Sequence, residues 1–348
     1  MIRKIYTATK HIRYSALLAG IVIWGTICMG GCAATIFKYE PPPSLLNEKA
    51  VLIDNDIYRQ TLLLIKNAEY TLYIEQMILA DPVILNEIIA KAERGVEIRI
   101  LLDRWQHENE PVVDRLKNNN ISVQYYPTEK GQYHRQKFII SDNKTVLFVS
   151  VPWSDSQSSL SALAFIMTGD TVQKAVDLFA RDWHYTTTLE LDTFYTPQET
   201  ARELERVTLS STIGMKHLIL SHIESAQESI RIETQQINGD EEIINALISA
   251  QKRGCQVRIL LDPACLETTP NTIKSLTEAQ IECRYYNIPG KTLSRNFAII
   301  DTSILINTSS AWTYNTFIIN HEGALIIPSL AVTRKCTEVF ELDWDQSR

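Results

Sequence analysis

The chain has 348 residues, 45% hydrophobic and 22% charged, the make-up of a globular protein of about two domains. It carries 41 acidic against 34 basic residues, and an acidic surface repels phosphate backbones, so nucleic acid is not an expected partner. Four basic residues, Arg3, Lys4, Lys10 and Arg13, fall before Cys32, where there is no acid. The rest of the chain therefore holds 30 basic and 41 acidic residues, a formal charge of −11.

The first predicted element is an export signal over residues 1–32. It has a basic start, an apolar run from Ala16 to Met29, and then Gly30-Gly31-Cys32. Met29-Gly30-Gly31-Cys32 resembles a bacterial lipoprotein cleavage box, with Cys32 as the lipidated residue and Met where Leu is usual. The other reading is an uncleaved anchor helix, since Ala16 to Ala34 is just long enough to span a bilayer. Either one places the body on a membrane surface outside the cytoplasm. Residues 33–47, with Pro41-Pro42-Pro43, read as a short stiff spacer.

Beyond the spacer the chain alternates strand and helix patterns. Residues 69–74 read as a strand, Val83 to Glu93 as a helix ended by Arg94-Gly95, and Val96 to Leu102 as a buried strand. A short helix (112–117) and a strand (121–125) follow. Residues 137–140 and 145–150 then read as a hairpin around Asp142-Asn143. Last come a strand (163–167) and a helix (172–183). This order predicts a layered α/β domain with a mixed sheet. The second half repeats it. Ala92-Glu-Arg-Gly95-Val-Glu-Ile-Arg-Ile-Leu-Leu-Asp103 has a near-copy in Gln251-Lys-Arg-Gly254-Cys-Gln-Val-Arg-Ile-Leu-Leu-Asp262, 159 residues on (254 against 95). Glu75 and Glu233, Trp153 and Trp312, and Asp142 and Asp301 keep almost the same offset. Two duplicated domains are expected, over 48–185 and 211–348, with a linker at 186–210.

Four cysteines, Cys255, Cys265, Cys283 and Cys336, lie in the second half. An exported compartment permits disulfides. However, Cys255 and Cys283 stand where the first half has Val96 and Val123, which reads as core thiols.

At Tyr133-His134-Arg135-Gln136-Lys137-Phe-Ile-Ile-Ser-Asp142 the chain resembles the phospholipase D superfamily, whose signature is His-x-Lys-x4-Asp once per half. The duplicated frame fits as well: a Trp-Ser or Trp-Thr after the motif and a closing Phe-x3-Trp (Phe179 to Trp183, Phe340 to Trp344). The resemblance covers roughly residues 50–348. It implies two α/β/α sandwich domains with mixed sheets that face each other across a pseudo-two-fold interface and share one site. It also implies that one His attacks the phosphodiester phosphorus while the other protonates the leaving alcohol. Both Lys then neutralise the phosphoryl oxygens, with no metal and no cofactor. Carried over, His134, Lys137 and Asp142 form the first catalytic set.

The sequence departs from that pattern in three places. His134 and Lys137 are three apart rather than two, so on a regular strand they do not share a face. One solution is an inserted residue and a bulge at Arg135-Gln136, because Tyr126 to His134 and Tyr286 to Ser294 both span 8 residues. The other is that Arg135 takes the family's His position and leaves no correctly placed nucleophile. Second, the later motif is degenerate: Ser294, Arg295 and Asn296 precede Asp301. Arg135 and Arg295 remain candidate phosphate binders, as do Ser150 and Ser309 of the segments after each motif. Third, both Asn of the usual Gly-Ser-x-Asn are gone. A supporting acid, Glu322, occurs only in the second half. His321 is a candidate replacement for the missing acid.

Other motifs fail. Gly290-Lys291-Thr292 lacks the upstream Gly of a phosphate loop, no Ser-centred nucleophile elbow occurs, and the seven histidines show no metal-ligand spacing. The resemblance and the membrane address together imply a phosphodiesterase or phosphatidyltransferase acting on membrane phospholipid through a phospho-histidine. Its activity is expected to be weak, because the second motif is lost. The alternative is an inactive lipoprotein that serves as a binding or scaffold protein of the envelope.

Overall fold

The computed structural model describes residues 46–154, 159–191 and 206–347. The export signal, Cys32, most of the spacer and much of the linker lie outside these. Both halves belong to one compact unit, Pro41–Arg348. Among the described residues no helix is long and apolar enough to cross a membrane.

The first half holds β1 (Val51–Ile53), a helix Asn55–Asn67, β2 (Thr71–Gln76), a helix Pro82–Ala92 and β3 (Glu97–Asp103). A helix Asn109–Asn118, β4 (Ser122–Tyr126), β5 (Phe138–Ser141), β6 (Thr145–Val149), β7 (Leu160–Ser161), β8 (Leu163–Thr168) and a helix Asp170–Thr187 follow. The second half repeats the plan. It runs from β9 (Thr208–Ser211) through β10 (Ser229–Thr234), β11 (Ile237–Asn238), β12 (Gln256–Leu261), β13 (Glu282–Tyr285), β14 (Thr292–Leu293), β15 (Phe297–Ile300), β16 (Ile304–Thr308) and β17 (Trp312–Thr313) to β18 (Gly323–Ile327), closing with a helix Leu330–Gln346. The two large sheets have the same order, β1-β8-β6-β5-β2-β3-β4 and β9-β18-β16-β15-β10-β12-β13. Each is mixed: β2, β3 and β4 run parallel, and β5 pairs antiparallel with β2.

Local chemistry sets these elements. Asp81 caps the helix Pro82–Ala92 by accepting from the Val83 and Ile84 amides, and Asp240 caps its twin through Ile243. Both helices stop at a glycine in the left-handed region, Gly95 (φ 87°) and Gly254 (φ 95°). The hairpin after β5 turns on Asp142 (φ 53°) and Asn143 (φ 50°), and its twin on Asp301 (φ 48°) and Thr302 (φ 61°).

Each sheet buries its outer face against its own helices. The inner faces and the helices Asp170–Thr187 and Leu330–Gln346 share one central core that takes residues from both halves, including Phe138, Phe165, Phe179, Phe297, Leu305 and Phe340. The closing Phe-x3-Trp pairs belong to it. Phe179 stacks on Trp183 and Phe340 on Trp344, with Arg99 and Arg258 over the two indoles. The duplicated sandwich is therefore as expected.

The expected linker needs a correction: Thr208–Ser211 is an edge strand paired with β18. With four residues and one partner it carries too little alternation to be read from sequence. The four cysteines of the second half are free thiols, and Cys255, Cys265 and Cys336 are buried.

Candidate functional site

Two short bridges join the halves where the motif segments enter β5 and β15. His134 pairs in parallel with His321, and Leu293 of β14 with Ser161 of β7. The backbone bonds match twin by twin. Arg135 N donates to His321 O (2.8 Å) and Ser294 N to Ser161 O (3.0 Å); Val149 N donates to Lys137 O (3.0 Å) and Thr308 N to Asn296 O (2.9 Å). From Arg135 to Asp142 the first half thus runs in step with Ser294 to Asp301. The extra residue of the first copy falls before the motif, in the loop after Tyr126. The bulge at Arg135-Gln136 does not form, and Arg135 stands where the family has its His.

The alternation of extended backbone then fixes what faces what. Arg135, Lys137, Ser294 and Asn296 all line a cleft of about 400 Å³ between the halves. Ser150, Ser309, Asn320 and Glu322 line it too. Its charged lining residues are Arg135, Lys137 and Glu322, and no histidine is among the described residues that line it. Lys137 is buried and crosses the interface. Its Nζ donates to the Ser309 carbonyl and to the Arg135 carbonyl (3.2 Å). Burial lowers its pKa to about 8, with Glu322 acting to raise it and Arg135 to lower it. Glu322 accepts from the Ser309 hydroxyl and from Asn320 Nδ2 (3.0 Å). Ser309 Oγ in turn accepts from Gly323 N (2.9 Å), and Ser150 Oγ from Leu163 N (3.0 Å). Asn296 Oδ1 accepts from the Thr234 hydroxyl (2.9 Å) and Gln235 N (3.2 Å), so its acceptor is turned away from any anion in the cleft.

His134 points to the other side of its strand. It is fully buried, stacks on Tyr126 (4.8 Å between ring centres), and sits with Nε2 3.4 Å from Glu75 Oε2. Burial and the neighbouring His321 hold its pKa well below the usual histidine range. The expectation that His134 and Lys137 share the cleft is thus corrected, because odd spacing on extended chain separates them. His321 is also not in the cleft; its Nε2 contacts Asp182 Oδ2 (2.7 Å).

The motif aspartates do not reach the cleft either. Asp142 accepts from the Glu69, Tyr70 and Thr71 amides, and Asp301 from Gln227, Glu228 and Ser229, which pins the start of β2 and of β10. These bonds hold the Asp301 carboxyl below its ordinary value against the opposing effect of burial. Arg295 is another correction. As the twin of Gln136 it lies behind its strand, buried among Asp343, Glu233 (3.4 Å) and Asp54 (3.2 Å). Three carboxylates occupy the guanidinium, and no cleft anion meets it. Burial pushes Glu233 up to about 8, and Asp343 adds to the shift.

Sequence reasoning missed the residues behind the strands. Asp182 and Asp343 sit one before the closing Trp in each half, and each partners a residue of the interface. Their shared place before the closing Trp was the available signal.

Comparison with known proteins agrees with this frame. The family model described as "Cardiolipin synthase, PLD-like domain" matches twice, at residues 62–183 and 219–344. A protein named cardiolipin synthase from Alkalihalophilus pseudofirmus is 25% identical over 90% of this chain and 71% of its own length. One named phospholipase D from Rickettsia prowazekii is 30% identical over 43% of this chain and 71% of its own length. The crystal structure of a phosphatidylserine synthase from Haemophilus influenzae Rd KW20 covers 88% of this chain and 87% of its own, with TM-score 0.66 and 14% identity, a likeness of fold. With its family model matched in both halves, the chain belongs to the phospholipase D superfamily and carries the cardiolipin synthase-type domain twice.

Proposed function

We propose that the cleft binds the phosphodiester group of a membrane phospholipid and does not attack it through a phospho-histidine. The observation that carries this is the lining itself: Arg135 and Lys137 converge on the cleft, opposed by one carboxylate, while His134 and His321 lie outside it. Two cations against Glu322 leave one net positive charge, which a phosphodiester monoanion neutralises. Ser294 offers a hydroxyl, not a group that delivers a proton near neutrality. The expected membrane address favours a lipid ligand over a soluble one, and the names of the relatives point the same way.

Family membership supports a second reading, slow hydrolysis or phosphatidyl transfer at the same cleft. Binding itself is tested with a soluble glycerophosphodiester, whose single charge does not change near neutral pH. Lys137→Met is expected to weaken affinity by roughly 10- to 100-fold, the worth of about 1.5–3 kcal/mol for a bond to a charged group. Only protonated Lys137 attracts the anion. Wild-type affinity should therefore fall as pH rises through about 8, and the variant's should stay flat. Equal affinity of the two proteins at pH 7 would remove the lysine from the site.

A further inference from the structure

The polar cluster behind His134 has no role in the cleft. Glu75 and His134 are fully buried, and neither carboxylate oxygen of Glu75 nor either ring nitrogen of His134 has a hydrogen-bond partner. Orphaned buried groups of this kind are rare in folded proteins and point to an ion or water between them. Glu75, His134 and His321 each bring a ligand atom within 4.8 Å of the others.

The geometry points to a divalent transition-metal ion of the zinc class, held by Glu75, His134 and His321 and clasping the two halves together. Tetrahedral zinc with ligands at about 2.0–2.1 Å puts two ligand atoms about 3.3 Å apart and two imidazole centres about 5 Å apart. His134 Nε2 and Glu75 Oε2 are 3.4 Å apart, and the His134 and His321 ring centres are 5.3 Å apart. Two imidazoles and a carboxylate suit zinc, whereas calcium and magnesium take oxygen ligands. Asp182, 2.7 Å from His321 Nε2, is the carboxylate that orients a metal-bound histidine, and the ion takes Nδ1 in place of the Thr212 hydroxyl that now meets it (3.2 Å). Three protein ligands leave a fourth position for water.

The duplication supplies an independent reason for a cation. The twins of Glu75 and Asp182 are Glu233 and Asp343, and in the second half Arg295 holds a fixed positive charge against both. The first half has Gln136 at that position, and its side chain turns away to the Glu322 carbonyl (2.8 Å). Glu75 therefore contacts an imidazole where its twin contacts a guanidinium, and the nearest fixed cation, Arg181, is an exposed side chain that reaches Asp182 (3.5 Å) from the surface. His321 comes from the other half and its side chain is 11% exposed, so the ion has an edge by which to enter. The clasp lies behind the strand and takes no part in phosphodiester binding.

The test uses the whole protein, stripped with a chelator and dialysed against zinc chloride alone. One equivalent of zinc per chain is expected, with an unfolding temperature that climbs with zinc concentration. Glu75→Gln and His321→Gln should each lose the bound equivalent, and the exposed His107→Ala should keep it. Cobalt replacement reads the site in wild type without any substitution, and a strong visible band of tetrahedral cobalt is expected. No retained zinc and no cobalt band would overturn the proposal. So would an equivalent of zinc that survives both ligand substitutions in folded protein.

Discussion

Arg135→His combined with Ser294→His and Asn296→Lys is expected to give the cleft measurable turnover of phosphatidyl lipids. The three changes place two imidazoles and two lysines on the lining that Arg135, Lys137, Ser294 and Asn296 share. One imidazole then serves as nucleophile and the other as acid, the two roles that one ring cannot fill at once. Reverting the histidine that serves as acid should lower the rate by about 10²–10⁴-fold, the usual worth of proton transfer, and reverting the nucleophile should abolish turnover. The loss should be smaller for an activated aryl phosphodiester if the reverted residue is the acid, since that leaving group needs no proton. Adding His134→Gln to the triple variant should leave the rate of folded protein within a few-fold, because His134 faces Glu75 behind the strand. If His134→Gln abolishes that turnover, His134 reaches the cleft and Arg135 is not level with Ser294.

Arg295→Met is expected to be the most damaging single change to stability. It strips the cation from Glu233 and Asp343 while both stay buried. Breaking a buried pair from one side costs about 3–5 kcal/mol, far more than loss of a surface bridge. The pH dependence has a definite sign. A buried carboxylate whose folded pKa is raised above its unfolded value costs stability as pH rises, so the penalty should grow from about pH 4 upward. Urea unfolding at pH 5 and pH 8 checks both points. Glu233→Gln in the same background should recover part of the loss, and recovery at pH 8 should exceed that at pH 5. A penalty below about 1 kcal/mol at pH 8 would mean that the acids relieve each other without Arg295.

The fold was legible because duplication leaves matched punctuation. Gly95 and Gly254 end equivalent helices, and Asp142 and Asp301 open equivalent hairpins, so two weak readings support each other. The site was half legible. Counting from Tyr126 and Tyr286 places the extra residue inside the motif. Counting back from Asp142 and Asp301, whose amide contacts fix β5 and β15, puts Arg135 level with Ser294 at once. The second count was available in the sequence but lacked a physical reason to be preferred. The aspartates looked catalytic only through the family motif, since nothing in their neighbours reveals three waiting amides. The cluster of Glu75, His134, Asp182 and His321 is assembled from distant stretches of both halves. No spacing rule finds such a set, because topology brings it together.

The most direct test mixes wild-type protein with phosphatidyl-lipid vesicles, quenches rapidly in alkali, which preserves phospho-histidine, and reads every histidine by mass spectrometry. Bound lipid with no phosphatidyl adduct on any histidine is the predicted result. An adduct on His134, with headgroup released in equal amount, would contradict it.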